Sequence, residues 1–258
     1  MANDLCMALE LDKEELPGKV IAIAENRGSN GNFVISAVIC HCIENKIPIC
    51  LLASHNTFGH YHNVCIKMGG NLQKLKGEGF VKCLDVMKMV ESNFTTELKE
   101  NYILGIGKEE LFLKDLFLKL RRDAQNLFDL YHKYPCIIID DIADFLILGC
   151  SASLVLSFFQ YCRNMLLEMN GCSLVSLCHN GKDDAESMKV IAGISHMCNI
   201  KVEVSGLSTG LSGEVSGVLK VDRKVNDKSP ARSTKEYHFK LEERRIVMFS
   251  PGTSPAFV

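Results

Sequence analysis

The chain has 258 residues, which is enough for one large domain or two small ones and enough to bury a sizeable core. Hydrophobic residues make up 47% of the chain and charged residues 23%, as in ordinary globular proteins. The formal net charge of −2 excludes a basic surface of the kind that coats DNA, so any contact with nucleic acid would be local or shared with partner chains.

Along the chain, we predict a short acidic N-terminal segment, residues 1–17, and one domain, residues 18–258. Within that domain, short runs of β-branched and other apolar residues alternate with longer segments of helical periodicity. Up to residue 179 the predicted strands are 19–25, 47–55, 80–86, 136–141 and 173–179, and the predicted helices are 33–44, 56–70, 108–135 and 145–169. Uninterrupted apolar strands in this order predict an α/β fold, a parallel sheet flanked by helices on both faces.

The pattern changes after about residue 195, where apolar and polar residues alternate. Four such stretches are joined by turns: 197–207, 213–224, 235–243 and 244–252. They predict antiparallel C-terminal strands, in hairpins added to the edge of the parallel sheet.

The longest apolar run, residues 145–162, is interrupted by Gly149, Ser151 and Ser153. It therefore predicts a buried helix rather than a membrane span, and we expect no membrane partner.

Cysteine usage indicates the cellular compartment. Twelve cysteines are scattered between Cys6 and Cys198 without a CxxC pair, so we expect no zinc motif built from them. The first ten residues already carry Asp4 and Glu10, which does not fit a secretory leader. We therefore expect mostly reduced, buried thiols in a protein of the cytoplasm or nucleus.

The stretch Val20–Cys40 has the shape of a nucleotide-binding motif, because an apolar strand runs into a Gly-rich turn and an apolar helix. In a working phosphate loop, GxxxxGK[ST], backbone N–H groups wrap the phosphates, the lysine neutralises them and the hydroxyl holds magnesium. Aligned on the second glycine, Gly31, this chain has Asn26 at the first glycine, Asn32 at the lysine and Phe33 at the hydroxyl. The cation and the metal ligand are missing, and we expect the Phe33 ring to block the magnesium position.

Two further positions bear on catalysis. The strand 136–141 closes on Asp140, which in an active enzyme would hold the metal indirectly, as a Walker B aspartate does. RecA-type ATPases also carry a water-activating glutamate on the strand beside the phosphate loop; we assign this position to the strand that ends in Ser54, His55 and Asn56, which has no carboxylate. We expect no catalytic residue and no cofactor. The degenerate nucleotide site then comprises Gly28, Asn30, Gly31, Asn32, Phe33 and Asp140.

Three histidines, His55, His60 and His62, follow the second predicted strand, at the sheet edge where ligands of α/β proteins usually bind. An HxH pair on a short helix does not place both rings on one face, and we expect no carboxylate nearby. We predict turn or interface histidines and no metal site.

Two polar stretches are candidates for contact with RNA, although such stretches are often only solvated loops. Residues 179–189 follow a central strand, and in RecA-like rings the loop at this place faces the central pore. Residues 220–235 are the most basic stretch, and local positive charge can neutralise RNA phosphates with a corresponding salt dependence. The candidate contacts are Lys182, Lys189, Arg223, Lys224, Lys228 and Arg232.

Several motifs in the order found here resemble one family over nearly the whole chain, from about Gly18 to Val258. They are GSNGNFVI, CLLASHNTFGHYHNVCIKMGGNL, YPCIIIDDIADFLILG, LSFFQYCRN and the terminal FSPGTSPAFV. Together they resemble the sixth subunits of the Elongator complex.

This resemblance implies a RecA-like fold for residues 18–258. It also implies a hetero-hexameric ring with two copies each of the paralogous RecA-like subunits four, five and six, which joins the catalytic subcomplex of Elongator. Such a ring binds tRNA, supports modification of the wobble uridine (U34), and hydrolyses ATP although its subunits lack standard ATPase motifs. The six basic residues are then candidate tRNA contacts.

Three hypotheses follow from these observations. The first is a non-catalytic, pseudo-ATPase subunit of the ring. The second is an ATPase with a non-standard loop, in which Asp140 and Asp141 hold magnesium near RGSNGN. The third is an assembly scaffold without direct RNA contact.

Overall fold

The computed structural model describes residues 3–11, 16–26, 28–94, 107–169, 171–180, 184–207, 210, 212–224 and 231–253. The strands are β1 (Val20–Glu25), β2 (Ile49–Ala53), β3 (Val81–Asp85), β4 (Cys136–Ile139), β5 (Ser173–His179), β6 (Ile200–Ser205), β7 (Gly217–Lys224), β8 (Arg232–Leu241) and β9 (Ile246–Phe249). The helices are α1 (Asn3–Ala8), α2 (Asn32–Glu44), α3 (Phe58–Lys67), α4 (Leu72–Gly77), α5 (Val86–Phe94), α6 (Glu109–Tyr131), α7 (Asp144–Ile147), α8 (Ala152–Glu168) and α9 (Ala185–Met197).

The described strands form one sheet in the order β3-β2-β4-β5-β1-β6-β7-β8-β9. The six strands from β3 to β6 in that order are parallel, and β7, β8 and β9 are antiparallel to their neighbours. The predicted parallel sheet with antiparallel C-terminal strands is thus confirmed. The first of the four late strands, β6, joins the two parts of the sheet, because it pairs parallel with β1 and antiparallel with β7.

Apolar side chains cover both faces of the sheet because the parallel strands β1, β2 and β4 are apolar at nearly every position. On β1, Ile21 and Ile23 belong to the core under helices α1 to α4, while Val20 and Ala22 belong to the core under helices α5 to α9. This alternation confirms the prediction of helices on both faces. Among the described helices, none is long and apolar enough to cross a bilayer.

Helix α6 lies within the helix predicted at 108–135 and buries one face. Its buried positions are Phe112, Leu113, Leu116, Leu120, Ala124 and Leu127. The predicted helix 145–169 is interrupted, however. Gly149 has a φ of +99°, which only glycine adopts without strain, and Ser151 then caps α8 by accepting the Leu154 N–H at 3.3 Å.

The described N-terminal residues 3–11 lie against the core. Helix α1 packs on β9 and α2, and Leu5 and Leu9 are fully buried in the same apolar core as α2. The boundary between residues 17 and 18 stays a prediction. All twelve cysteines are free thiols and all but Cys83 are buried, which confirms the expected burial.

Candidate functional site

The carboxyl ends of the parallel strands meet at one edge of the sheet, where ligands of α/β proteins bind. A cavity of about 310 Å³ opens there between the ends of β1, β4 and β5 and the starts of α2, α7 and α9. Its lining residues are Glu25, Asn30, Asn32, His55, Asp141, Ala143, Asp144, Leu146, Ile147, Leu177, His179, Asp184 and Ser187. Four of these are carboxylates and two are histidines, and the described lining contains neither lysine nor arginine.

The N-terminus of α2 receives a carboxylate from the protein itself. Glu25, the last residue of β1, is buried, and its Oε2 accepts the backbone N–H of Gly31 at 2.7 Å. Its Oε1 lies 2.9 Å from Nδ1 of His179 at the end of β5. In a phosphate loop such backbone N–H groups bind phosphate oxygens. The Glu25 carboxylate therefore accepts a backbone N–H that would bind an anion in a working phosphate loop.

Close packing leaves little room for a side chain at Gly31. Its φ of −88° is open to any residue, but a Cβ would lie 3.2 Å from Cδ1 of Leu177, 3.3 Å from Cγ2 of Ile23 and 3.4 Å from Oε2 of Glu25. Glycine is thus favoured here, because a larger residue would press against side chains of β1 and β5, the Glu25 carboxylate included.

The remaining predicted loop positions lie in three different environments. Gly28 is exposed with a φ of +76°. Asn30 and Asn32 both line the cavity, and Oδ1 of Asn30 accepts the Asn32 N–H at 2.9 Å. The Phe33 ring packs 4.7 Å from the ring of Phe239 on β8. That these positions descend from a nucleotide site, and that Phe33 excludes magnesium, stay predictions.

Asp140 is fully buried and already satisfied by the protein. Its Oδ2 accepts the Asn56 backbone N–H at 2.5 Å, and its Oδ1 accepts the Tyr61 hydroxyl at 2.5 Å and Nδ2 of Asn56 at 3.3 Å. Burial and the adjacent carboxylate raise the pKa of Tyr61, so the hydroxyl remains a donor at neutral pH. These contacts join β4 to the loop after β2 and to α3, which is a structural role.

Asp141, by contrast, is next to the cavity. Its Oδ1 accepts the backbone N–H groups of Ala143 at 2.8 Å and His179 at 3.3 Å. Burial, with the nearby carboxylate of Asp144, raises the pKa of Asp141 to about 7. Burial also raises the pKa of Asp144, and the His55 imidazole, whose Nδ1 lies 3.4 Å from Asp144 Oδ2, opposes that shift.

Two expectations about this edge are wrong. His55 does have carboxylates nearby, because the sheet order brings β4 next to β2 and so places Asp144 beside it. The strand that ends in Ser54 is not beside the phosphate-loop strand either, because β4 and β5 lie between β2 and β1. The neighbour of β1 on that side is β5, which ends in His179.

The other two histidines lie on α3. The His60 side chain is exposed beside Tyr61, and Nδ1 of His62 accepts the Gln73 N–H at 3.3 Å.

The basic candidates are spread over several environments. Lys182 and Lys228 lie outside the described residues. Lys189 on α9 is exposed and pairs with Glu186 at 2.5 Å. Lys189 is therefore accessible to a partner from solvent.

Three other candidates have intramolecular partners. Arg223 contacts the Leu9 carbonyl and Glu10, and Lys224 Nζ donates to the His196 carbonyl at 3.3 Å. Arg232 donates to the Ser195 carbonyl at 2.8 Å, at the C-terminal end of α9. Their contact with tRNA stays a prediction.

Sequence reasoning missed Glu25, Tyr61, Asp144 and His179. One feature in the sequence could have indicated the first, since a carboxylate at the last position of the strand lies at the entry of the Gly-rich turn. The other three depend on the order of strands in the sheet.

The fold defines the class of protein. The chain resembles a solved KaiC-like protein from Pyrococcus horikoshii with a TM-score of 0.60 and 12% identity over 90% of both chains. At this identity the likeness concerns the fold alone, and it confirms a RecA-like architecture.

The particular family follows from the sequence comparisons: the chain belongs to the Elongation complex protein 6 family, which matches residues 3–243. Elongator complex protein 6 of Xenopus laevis is 26% identical over 255 residues, covering 93% of this chain and 92% of the relative. The protein of that name from Homo sapiens is 27% identical over 249 residues with the same coverage. The one from Mus musculus is 26% identical over 237 residues, covering 88% and 89%. The resemblance stated from the motifs is confirmed.

Proposed function

We propose that this chain is a non-catalytic RecA-like subunit of the Elongator complex. In this proposal it assembles with the paralogous subunits four and five into the accessory ring, which joins the catalytic subcomplex and supports tRNA binding and wobble-uridine modification. Family membership supports the role in Elongator. The contribution of this subunit is then architectural.

The observation that carries the non-catalytic part is the Glu25 carboxylate on the Gly31 N–H. A bound triphosphate would bring several negative charges to a cavity that already holds Glu25, Asp141, Asp144 and Asp184. The chain places asparagine where the neutralising lysine belongs. Electrostatic repulsion and the occupied donor both oppose nucleotide binding here.

An added negative charge in the cavity tests this directly. We expect Asn32→Glu to leave ATP hydrolysis by the assembled ring unchanged, because no phosphate binds beside Asn32. The matched control is Asn63→Glu, which adds the same charge at an exposed position of α3. The measurement is the steady-state rate of ATP hydrolysis by the two variant rings and the wild-type ring. Loss of turnover in the Asn32 variant alone would show that this cavity binds nucleotide.

Assembly is tested separately. The full chain is co-expressed with subunits four and five, purified through a tag on subunit four, and weighed by native mass spectrometry. We expect a mass with two copies of each subunit. A chain that purifies alone, without its paralogues, would refute the ring assignment while leaving the nucleotide result untouched.

Direct tRNA contact requires variants that do not disturb the fold. Arg223, Lys224 and Arg232 are unsuitable because each has an intramolecular partner. Lys182→Glu and Lys228→Glu test the two predicted stretches, 179–189 and 220–235, and a native mass of the ring that equals that of the wild type checks each variant. We expect each to weaken tRNA binding by the ring and to reduce the slope of log affinity against log salt by about one per lost phosphate contact.

Unchanged affinity and slope in both charge-reversal variants would favour the scaffold without RNA contact. Lys46→Glu, which changes an exposed lysine after α2, is the control for a general effect of charge.

The ATPase with a non-standard loop remains a second candidate because acidic groups do converge at this edge. Asp140 is satisfied by Tyr61 and Asn56, whereas Asp144 lines the cavity, so Asp144 is the residue that tests this candidate. If the ring loses ATP turnover with Asp144→Asn while its mass is unchanged, this candidate replaces the non-catalytic one.

A further inference from the structure

We propose that His55, Asp141 and Asp144 form a binding site for a divalent transition-metal ion of the zinc type, at the carboxyl edge of the sheet. The proposal concerns this chain's own side chains and does not depend on whether the chain acts in a ring. It also departs from the expectation, drawn from sequence spacing, that the histidines bind no metal.

The three ligand groups come from three places that only the folded sheet brings together. His55 follows β2, Asp141 follows β4, and Asp144 is the first residue of α7. One ligand atom from each group lies within 4.8 Å of the other two. His55 Nδ1 and Asp144 Oδ2 are 3.4 Å apart, which is roughly the edge of a tetrahedron around a Zn²⁺ ion with ligands at about 2.1 Å.

The cavity is an independent indication of a cation. Besides the two aspartates of the cluster it is lined by Glu25 and Asp184, and its described lining carries no basic side chain other than histidines. A space of about 310 Å³ leaves room for solvent to complete the coordination shell. An anion would be repelled from this cavity, and a cation is attracted to it.

The geometry within the cluster allows the ligands to close on an ion. Asp141 is held by backbone N–H groups of Ala143 and His179, both on its Oδ1, so it is the fixed member. The His55 side chain is 58% exposed and can rotate toward it. Backbone donors on a ligating carboxylate are the outer-shell support that metal sites commonly have.

Ligand chemistry selects the type of ion. One imidazole and two carboxylates match the nitrogen and oxygen ligands of Zn²⁺, whereas Mg²⁺ and Ca²⁺ prefer oxygen ligands alone. Three protein ligands leave the fourth position of a tetrahedral Zn²⁺ ion open to water, as in catalytic zinc sites.

The experiment is a calorimetric titration of the full chain with ZnCl₂, in the Cys83→Ser background. Cys83 is the one cysteine that is not buried, so this background removes the accessible thiol as a competing ligand. The test variants are His55→Ala and Asp144→Asn, both partly exposed, and the control is His60→Ala, an exposed histidine outside the cluster. Far-UV circular dichroism checks that each variant is folded.

We expect one Zn²⁺ per chain and a Kd that rises at least about tenfold in each test variant but stays unchanged in the control. A titration with ZnCl₂ that shows no saturable binding would overturn the proposal, and so would a wild-type Kd in either test variant. If Asp144→Asn does not fold, His55→Ala decides alone. A chain that does not bind Zn²⁺ would refute this proposal without changing the outcome of the ATPase and assembly experiments that test the proposed function.

Discussion

Tyr61→Phe tests whether Asp140 is a structural acid rather than a metal ligand. The substitution removes a single oxygen and keeps the ring, which is fully buried. That oxygen donates to Asp140 Oδ1 at 2.5 Å, and the carboxylate is itself inaccessible to water. After the change, the carboxylate keeps only its contacts with Asn56.

The magnitude follows from the cost of taking a donor away from a buried charge. Hydrogen bonds to charged groups contribute about 1.5–3 kcal/mol to the free energy of unfolding, because water cannot replace the lost partner. We expect a loss of about 2 kcal/mol. For a domain of this size that lowers Tm by roughly 4–8 °C.

Thermal unfolding followed by circular dichroism measures the effect, and Tyr131→Phe is the matched control. The Tyr131 hydroxyl donates to the Glu78 carbonyl at 2.8 Å at an exposed position, where water replaces it at little cost. We expect that control to stay within about 0.5 kcal/mol of the wild type. Equal Tm values for the two variants would refute the structural role of Asp140.

Three further predictions concern the same edge. Gly31→Ala places a Cβ 3.2 Å from Cδ1 of Leu177 and should cost about 1–2 kcal/mol in urea unfolding; an unchanged midpoint would refute the packing requirement. Glu25→Gln keeps an acceptor for the Gly31 N–H and should lower the free energy of unfolding by about 0.5–1 kcal/mol. Glu25→Ala leaves the buried N–H without its partner and should lower it by about 2–3 kcal/mol. Equal losses in the two variants would contradict this account. Arg232→Met removes the donor to the Ser195 carbonyl and should speed hydrogen exchange in the last turn of α9, with unchanged exchange as the contrary result.

Local patterns were sufficient for most of the parallel sheet. The strand predicted at 173–179 is β5 with the same bounds, because its apolar run is short and bounded by Gly171 and Asn180. The interruption between α7 and α8 does not follow from periodicity, because the apolar spacing continues across Gly149 and only its left-handed φ and the Ser151 cap separate the two helices.

The order of the strands was beyond the reach of these patterns. Periodicity shows that β2 is a buried strand, but which strand lies beside it depends on how the crossover helices pack. For that reason the proximity of His55 to Asp144, which are 89 positions apart in the chain, could not be predicted. The role of Glu25 was missed for a related reason, since the turn must fold back before Gly31 reaches the carboxylate.

The missing lysine is not the whole reason for expecting no nucleotide here. Asn32 and Glu25 line the same cavity, so a lysine restored at position 32 would be placed in a cavity that already holds the Glu25 carboxylate. We therefore expect Asn32→Lys alone to bind no ATP, in a titration followed by the fluorescence of a labelled nucleotide. The double variant with Glu25→Gln removes the competing charge and should bind ATP more strongly than either single variant. If Asn32→Lys alone binds ATP as well as the double variant, the Glu25 carboxylate does not oppose nucleotide binding. The loss of the lysine would then be sufficient to explain why this site binds no nucleotide.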